Sequence, residues 1–134
     1  MQPIMNPHYR RIGGDETLRR LVARFYQLMD EIPEAYAVRK LHPADLSASE
    51  EKLFLFLSGW LGGPQRYVEK FGHPRLRQRH LPFSIGVEER DQWMACMIQA
   101  MEDVGIDETT RRELTAAFLK TADFMRNRAP GSGG

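Results

Sequence analysis

"GHPRLRQRHLPFSI", residues 72–85, packs two histidines, three arginines and two prolines into fourteen positions and closes on apolar side chains. Pro74 suits the first position of a helix, where a missing N–H costs nothing, and His73 can cap that helix. Pro82 forbids continuation and pushes Leu81 out of helical geometry. The spacing predicts a two-turn helix from Pro74 to His80. Leu76 and His80, four apart, share one face of it, while Arg75 and Arg79 share the next. Leu81 and Phe83 follow as apolar flanks. His80 thus ends a short helix beside apolar residues. One of its ring nitrogens can donate to a backbone carbonyl there, leaving the other free to bind metal. His73, at the cap, is expected to face water.

From spacing alone two readings of His80 stay open: a core histidine satisfied by a hydrogen bond, and a metal ligand. No other His, Cys or carboxylate stands at a metal-ligand spacing, which argues against a closed zinc site. A single imidazole suits a metal that brings its own equatorial ligands, and haem is that case.

Outward from this stretch the apolar pattern is helical. After Gly13-Gly14, Leu18, Leu21, Val22, Phe25 and Met29 recur at three- and four-residue steps until Pro33. A short helix is expected over 34–40, ending before His42-Pro43. "SASEEKLFLFLSGWL", residues 47–61, reads as a helix capped by Ser47 or Ser49, with Leu53, Phe56, Leu57 and Trp60 on one face. Gly62-Gly63-Pro64 closes it. Further helices are expected over 64–71, 86–103 and from Asp107 to about Arg128. No run alternates with period two, so the fold class is all-α.

Composition narrows the function classes. The 134 residues fit one domain, and 42% hydrophobic side chains suffice for a single core. Residues 1–11 read as a loose arm, 12–128 as the domain and 129–134 as a disordered tail. With 19 basic and 18 acidic side chains, no overall field favours nucleic acid or a membrane surface. No apolar run approaches the roughly 18 residues of a membrane span. The N-terminus has no secretion-signal pattern, so a reducing, cytoplasmic setting is expected. Cys96 is the only cysteine. It therefore forms no disulfide framework and no thioether haem-attachment motif, and it reads as a small buried residue.

The string "GGPQRYVEKFGHPRLRQRHLPFSIGVEERDQWM", residues 62–94, closely resembles the group II truncated haemoglobins. In that family a diglycine closes the distal helix, a Gly-His-Pro-x-Leu-Arg-x-Arg-His-x-Pro-Phe run carries the proximal histidine, and a tryptophan follows on the next helix. The resemblance extends over about 12–125, with Gly13-Gly14 and Phe25-Tyr26 also in place. It implies a truncated globin, helices packed two over two around non-covalent haem b, with His80 as the iron ligand. Tyr26 matches the distal tyrosine and Trp93 the tryptophan whose indole N–H points into the distal pocket. His42 stands where the family often has tyrosine, sometimes histidine or phenylalanine. With an ordinary histidine pKa it would add a distal donor around neutrality.

Leu53, Phe56 and Leu57 are expected to wall the distal cavity, with Ser49 at its mouth. Leu76, Phe83 and Met97 are expected against the porphyrin, and Arg79 with Tyr67 against the haem propionates. The implied ligands are dioxygen, nitric oxide, carbon monoxide or peroxide. The implied roles are redox detoxification or, as an alternative, oxygen retention or gas sensing without turnover. No flavin or nicotinamide motif is present, so turnover would need a separate reductase.

Overall fold

The computed structural model describes residues 8–75, 78, 80–81 and 83–127, which are helical with no strand among them. In chain order they form α1 (His8–Ile12), α2 (Gly14–Glu31), a 3-10 turn (Pro33–Ala35), α3 (Tyr36–Arg39), α4 (Ser47–Trp60), α5 (Arg66–Phe71), α6 (Val87–Asp103) and α7 (Glu108–Phe124). Helix α2 packs on α4 and on α6, and α6 packs on α7, so that two helix pairs cross two over two. None of these helices is long and apolar enough to cross a membrane.

The periodicity of α2 places Leu18, Leu21, Val22, Phe25 and Met29 in the core, all of them buried. Met97, Ala100 and Met101 of α6 and Leu114 and Phe118 of α7 close over them. Each such large side chain taken out of water contributes about 1.5–3 kcal/mol. Helix α4 is apolar on more than one side. Phe54 and Leu55 pack away from its Leu53-Phe56-Leu57 face, and the Arg19 guanidinium lies 3.5 Å over the Phe54 ring.

Several boundaries differ from the sequence reading. Residues 8–11, expected in the loose arm, join Ile12 in forming α1. The Tyr9 N–H donates to the Leu61 carbonyl at 2.9 Å, and the Tyr9 hydroxyl donates to Asp15, whose carboxylate also takes two bonds from Arg66. The Tyr9 ring sits where a side chain at Gly63 would be, 2.6 Å from the position of an added Cβ. The diglycine therefore leaves room for the N-terminal helix as well as ending α4. Neither Ser47 nor Ser49 caps α4. Asp45 accepts the Ser47 N–H at 2.9 Å just outside the helix.

The helix expected from Pro74 does not start there, because Arg75 lies in the left-handed region at φ 48° and the His73 ring accepts the Arg75 N–H at 3.1 Å. Gln78 and His80 are helical. At the other end, α7 stops at Phe124 rather than near 128. Asn127 leaves the helical path to bond elsewhere. The expected tail, 129–134, lies outside the described residues.

Candidate functional site

A cavity of about 510 Å³ lies between the helix layers, within the roughly 300–1,000 Å³ usual for ligand and cofactor sites. Helix α4 supplies Leu53, Phe56, Leu57 and Trp60, whose three- and four-residue steps turn one face inward. Helix α7 supplies Phe118, Thr121 and Ala122, and the Trp60 and Phe118 rings stack with centroids 4.8 Å apart. Tyr26 comes from α2, Val38 from α3, and His42 from the turn after it. Trp93, Glu89 and Arg90 come from α6, and His80, Phe83 and Ile85 from the segment before α6.

Two donors on this wall have no hydrogen-bond partner among the described residues. Tyr26 is 6% exposed, and its hydroxyl has no hydrogen bond among the described residues. Burial, with a smaller contribution from the Glu50 carboxylate, pushes its phenol well above the ordinary range. It therefore stays a proton donor throughout the physiological range. The Trp93 ring meets Phe25 edge-on at 5.0 Å and Phe118 at 5.7 Å. Phe25 also meets Tyr26 edge-on at 4.9 Å, so one core ring braces both donors. No hydrogen bond of the Trp93 indole is present among the described residues either, and an indole N–H can only donate.

His42 behaves differently from the expectation of a donor around neutrality. Its Nδ1 lies 3.0 Å from the Val38 carbonyl, which can only accept, so Nδ1 carries the ring proton. The remaining nitrogen of the neutral ring is an acceptor. Burial lowers the pKa from 6.5, outweighing the Val38 bond, and the Arg39 and His80 charges lower it further. At neutral pH His42 is thus uncharged beside Tyr26, their ring centroids 5.8 Å apart.

The segment bearing His80 is held from the far end of the chain. The Asn127 side chain donates to the carbonyls of Phe83 at 2.6 Å and His80 at 3.3 Å and accepts the Ile85 N–H at 2.8 Å. The Asn127 backbone N–H donates to the Ile85 carbonyl at 2.8 Å. Beside this clasp Asp123 accepts from Arg90 and from Arg126, each at 2.6 Å, tying α6 to the end of α7. These cations, Arg126 first, hold the Asp123 carboxyl below its ordinary range. Glu89, buried in the first turn of α6, accepts the Gly86 N–H at 2.8 Å and so fixes where that helix begins.

The structure brings Tyr26, His42, Ser49, Leu53, Phe56, Leu57, Tyr67, His80, Phe83 and Trp93 to one cavity. Phe83 is 42% exposed. Met97, expected against a porphyrin, is instead fully buried in the core and is not among the cavity residues. It sits one turn beyond Trp93, where α6 has already passed under α2. Leu76 and Arg79 lie outside the described residues. Sequence reasoning missed Lys52, Ile85, Glu89, Arg90 and Asn127. Trp60 was detectable, since it stands four residues after Phe56 on the same face.

Haem asks for an axial donor, an apolar slot and polar or cationic groups at the edge. His80 is an imidazole on a largely apolar cavity that also carries the exposed Lys52 and half-buried Ser49 and Tyr67. Among the described residues no three His, Cys, Asp or Glu side chains gather as a protein-only metal site. The donor set fits a metal that arrives with equatorial nitrogens of its own.

Comparison with known proteins points the same way. The bacterial-like globin family model matches residues 7–127. The group 2 truncated haemoglobin YjbI of Bacillus subtilis is 40% identical over 122 residues, covering 91% of this chain and 89% of that protein. A group II 2-on-2 haemoglobin from Agrobacterium tumefaciens superposes with a TM-score of 0.89 at 46% identity, covering 96% of this chain and all of that one. A haemoglobin from Chloroflexus aurantiacus superposes at 0.83 with 42% identity, over 92% of this chain and all of that one. Likeness this deep, spanning nearly the whole chain in sequence and in fold, makes this chain a member of the bacterial-like globins, within the group II truncated haemoglobins.

Proposed function

We propose that this chain holds non-covalent haem b through His80 and retains dioxygen for redox detoxification, either nitric oxide oxidation or a peroxidase-like reaction. Haem, iron and oxygen binding follow from membership of the globin family. When bound, haem supplies reversible binding of diatomic gases and one-electron chemistry. The observation that carries the finer reading is the pair of donors, Tyr26 and Trp93, on the same cavity as His80 and without a hydrogen-bond partner among the described residues.

His80 would bind the iron. Lys52, Ser49 and Tyr67, with Arg79, would meet the propionates, and Leu53, Phe56 and Leu57 would keep water from the ligand side. A buried donor to a charged acceptor contributes about 1.5–3 kcal/mol. Tyr26 and Trp93 together would hold a polarised ligand by roughly 3–6 kcal/mol and slow its escape by about 10² to 10⁴. Neutral His42 places an acceptor nitrogen on the same cavity, its ring beside that of Tyr26. Slow escape suits chemistry better than delivery.

Converting one dioxygen and one nitric oxide to one nitrate takes up one electron overall, so turnover would need a reductase of unidentified kind to supply it. Steady-state consumption of nitric oxide, or of peroxide, by the hemin-loaded protein with a reductant tests this reading. Sustained turnover that falls in Tyr26→Phe supports it. Stable oxygen retention without turnover would instead make the chain an oxygen-retaining or gas-sensing module.

A further inference from the structure

We infer that Asn127 is a positioning residue for the His80–iron bond: it fixes the backbone from which the His80 ring projects, and thereby the strain on that bond and the retention of haem. The inference rests on the reading of His80 as the iron ligand.

Every hydrogen-bonding group of the Asn127 side chain is committed to one short segment. Its carbonyl oxygen accepts from Ile85, and its amide nitrogen reaches the carbonyls of both Phe83 and His80. The backbone N–H of Asn127 returns a bond to the Ile85 carbonyl, so Ile85 is held through both its N–H and its C=O. The His80 carbonyl accepts a second bond, from the Phe83 N–H at 3.0 Å, so the clasp and the turn after His80 share an acceptor. Three of the segment's residues, His80, Phe83 and Ile85, line the cavity.

Among the segment's described residues, Arg75 lies in the left-handed region and Leu81 and Phe83 are exposed, so bonds from outside the segment bear on its position. Asn127 ties it to the end of α7, where Phe118 within the helix and Met125 just past it line the same cavity and are buried. An aspartate at 127 would keep the acceptor for Ile85 but turn an oxygen toward two carbonyls. An alanine would release all three side-chain bonds.

The test compares wild type, Asn127→Asp, Asn127→Ala and a control, Thr110→Val, which weakens α7 at its other end, where Thr110 bonds to Asp107. The first readout is the iron–histidine stretching band of the ferrous, ligand-free protein. The second is the rate of hemin loss to an excess of apo-globin. The inference predicts a shifted or broadened band and hemin loss faster by about tenfold in both Asn127 variants, the range typical when support to a metal ligand is removed. Thr110→Val should leave the band in place. An unchanged band and rate in the Asn127 variants, or the same change in Thr110→Val, would overturn it.

Amide exchange of the hemin-free wild-type chain needs no variant. The Ile85 N–H should be protected well beyond neighbouring loop amides, and exchange at open-loop rates would overturn the clasp even if both Asn127 variants fail to fold. A wild-type protein that binds hemin with no iron–histidine band would remove the reading of His80 instead, while Ile85 exchange still judges the clasp.

Discussion

The wall carrying Tyr26 and Trp93 and the segment carrying His80 face one cavity but are held there by different forces. Tyr26 and Trp93 ride on long helices, α2 and α6, whose buried stripes pack directly on each other. Their orientation comes from ring contacts with Phe25, itself fully buried. His80 belongs to a segment with exposed apolar side chains and one left-handed residue, fastened by bonds from Asn127 that cross 42 to 47 positions. The donors are placed by close-packed apolar contact, the His80 segment by a few long-range hydrogen bonds. A packed core resists displacement in every direction, whereas a hydrogen-bonded clasp can be released by one substitution.

The sharpest way to probe the donor wall is to remove both donors and keep its bulk. Tyr26→Phe combined with Trp93→Phe should speed oxygen release by about 10² to 10⁴ in stopped-flow measurements. Release unchanged from wild type would mean that both rings only pack. Deleting the packing behind the wall gives the next largest effect. Leu21→Ala should lower unfolding free energy by about 2–5 kcal/mol in denaturant titration. The iron–histidine band should not move, because Leu21 touches no part of the clasp. A moved band would dissolve the distinction between the two regions.

Trp93→Phe alone should speed oxygen release by about tenfold or more. The smallest effect concerns pH. Burial lowers the His42 pKa below 6.5, so the folded protein holds its proton less tightly than the unfolded chain does. Stability from this group is fully present above its unfolded pKa and declines as pH falls below it. Oxygen release and melting temperature should therefore be flat from neutrality upward and change only on acidification. A step in release centred above neutrality that disappears in His42→Phe would contradict this placement.

The same contrast governs how much could be read from the residues. Helix α2 was legible because its apolar side chains recur with helical period, and that period is what buries them. The face of α4 was legible for the same reason, and it delivered Leu53, Phe56 and Leu57 to the cavity. His80, Tyr26, Trp93 and His42 were singled out through motif resemblance; all four line the cavity, and the resemblance carried no information on the proton of His42. That proton depends on the Val38 carbonyl, a contact no spacing displays.

Asn127 was invisible because its partners lie more than forty residues away and its own neighbourhood reads as helix. Arg75 was misjudged because a proline favours a helix start without enforcing one. Helix α1 was missed because its stability comes from Leu61, Asp15 and Arg66 rather than from its own five residues. Met97 followed the apolar period of α6 correctly but was assigned the wrong neighbour. Periodicity says that a residue is buried and leaves open against what.

The central claim, that the His80 imidazole coordinates haem iron on the cavity shared by Tyr26 and Trp93, is tested most directly by titrating the purified chain and His80→Gly with hemin while recording absorption spectra. The account predicts saturation at one hemin per chain with a sharp Soret band in wild type, its loss in His80→Gly, and its return when imidazole is added. A wild-type chain that takes up no hemin, or an identical spectrum in His80→Gly without imidazole, would contradict it.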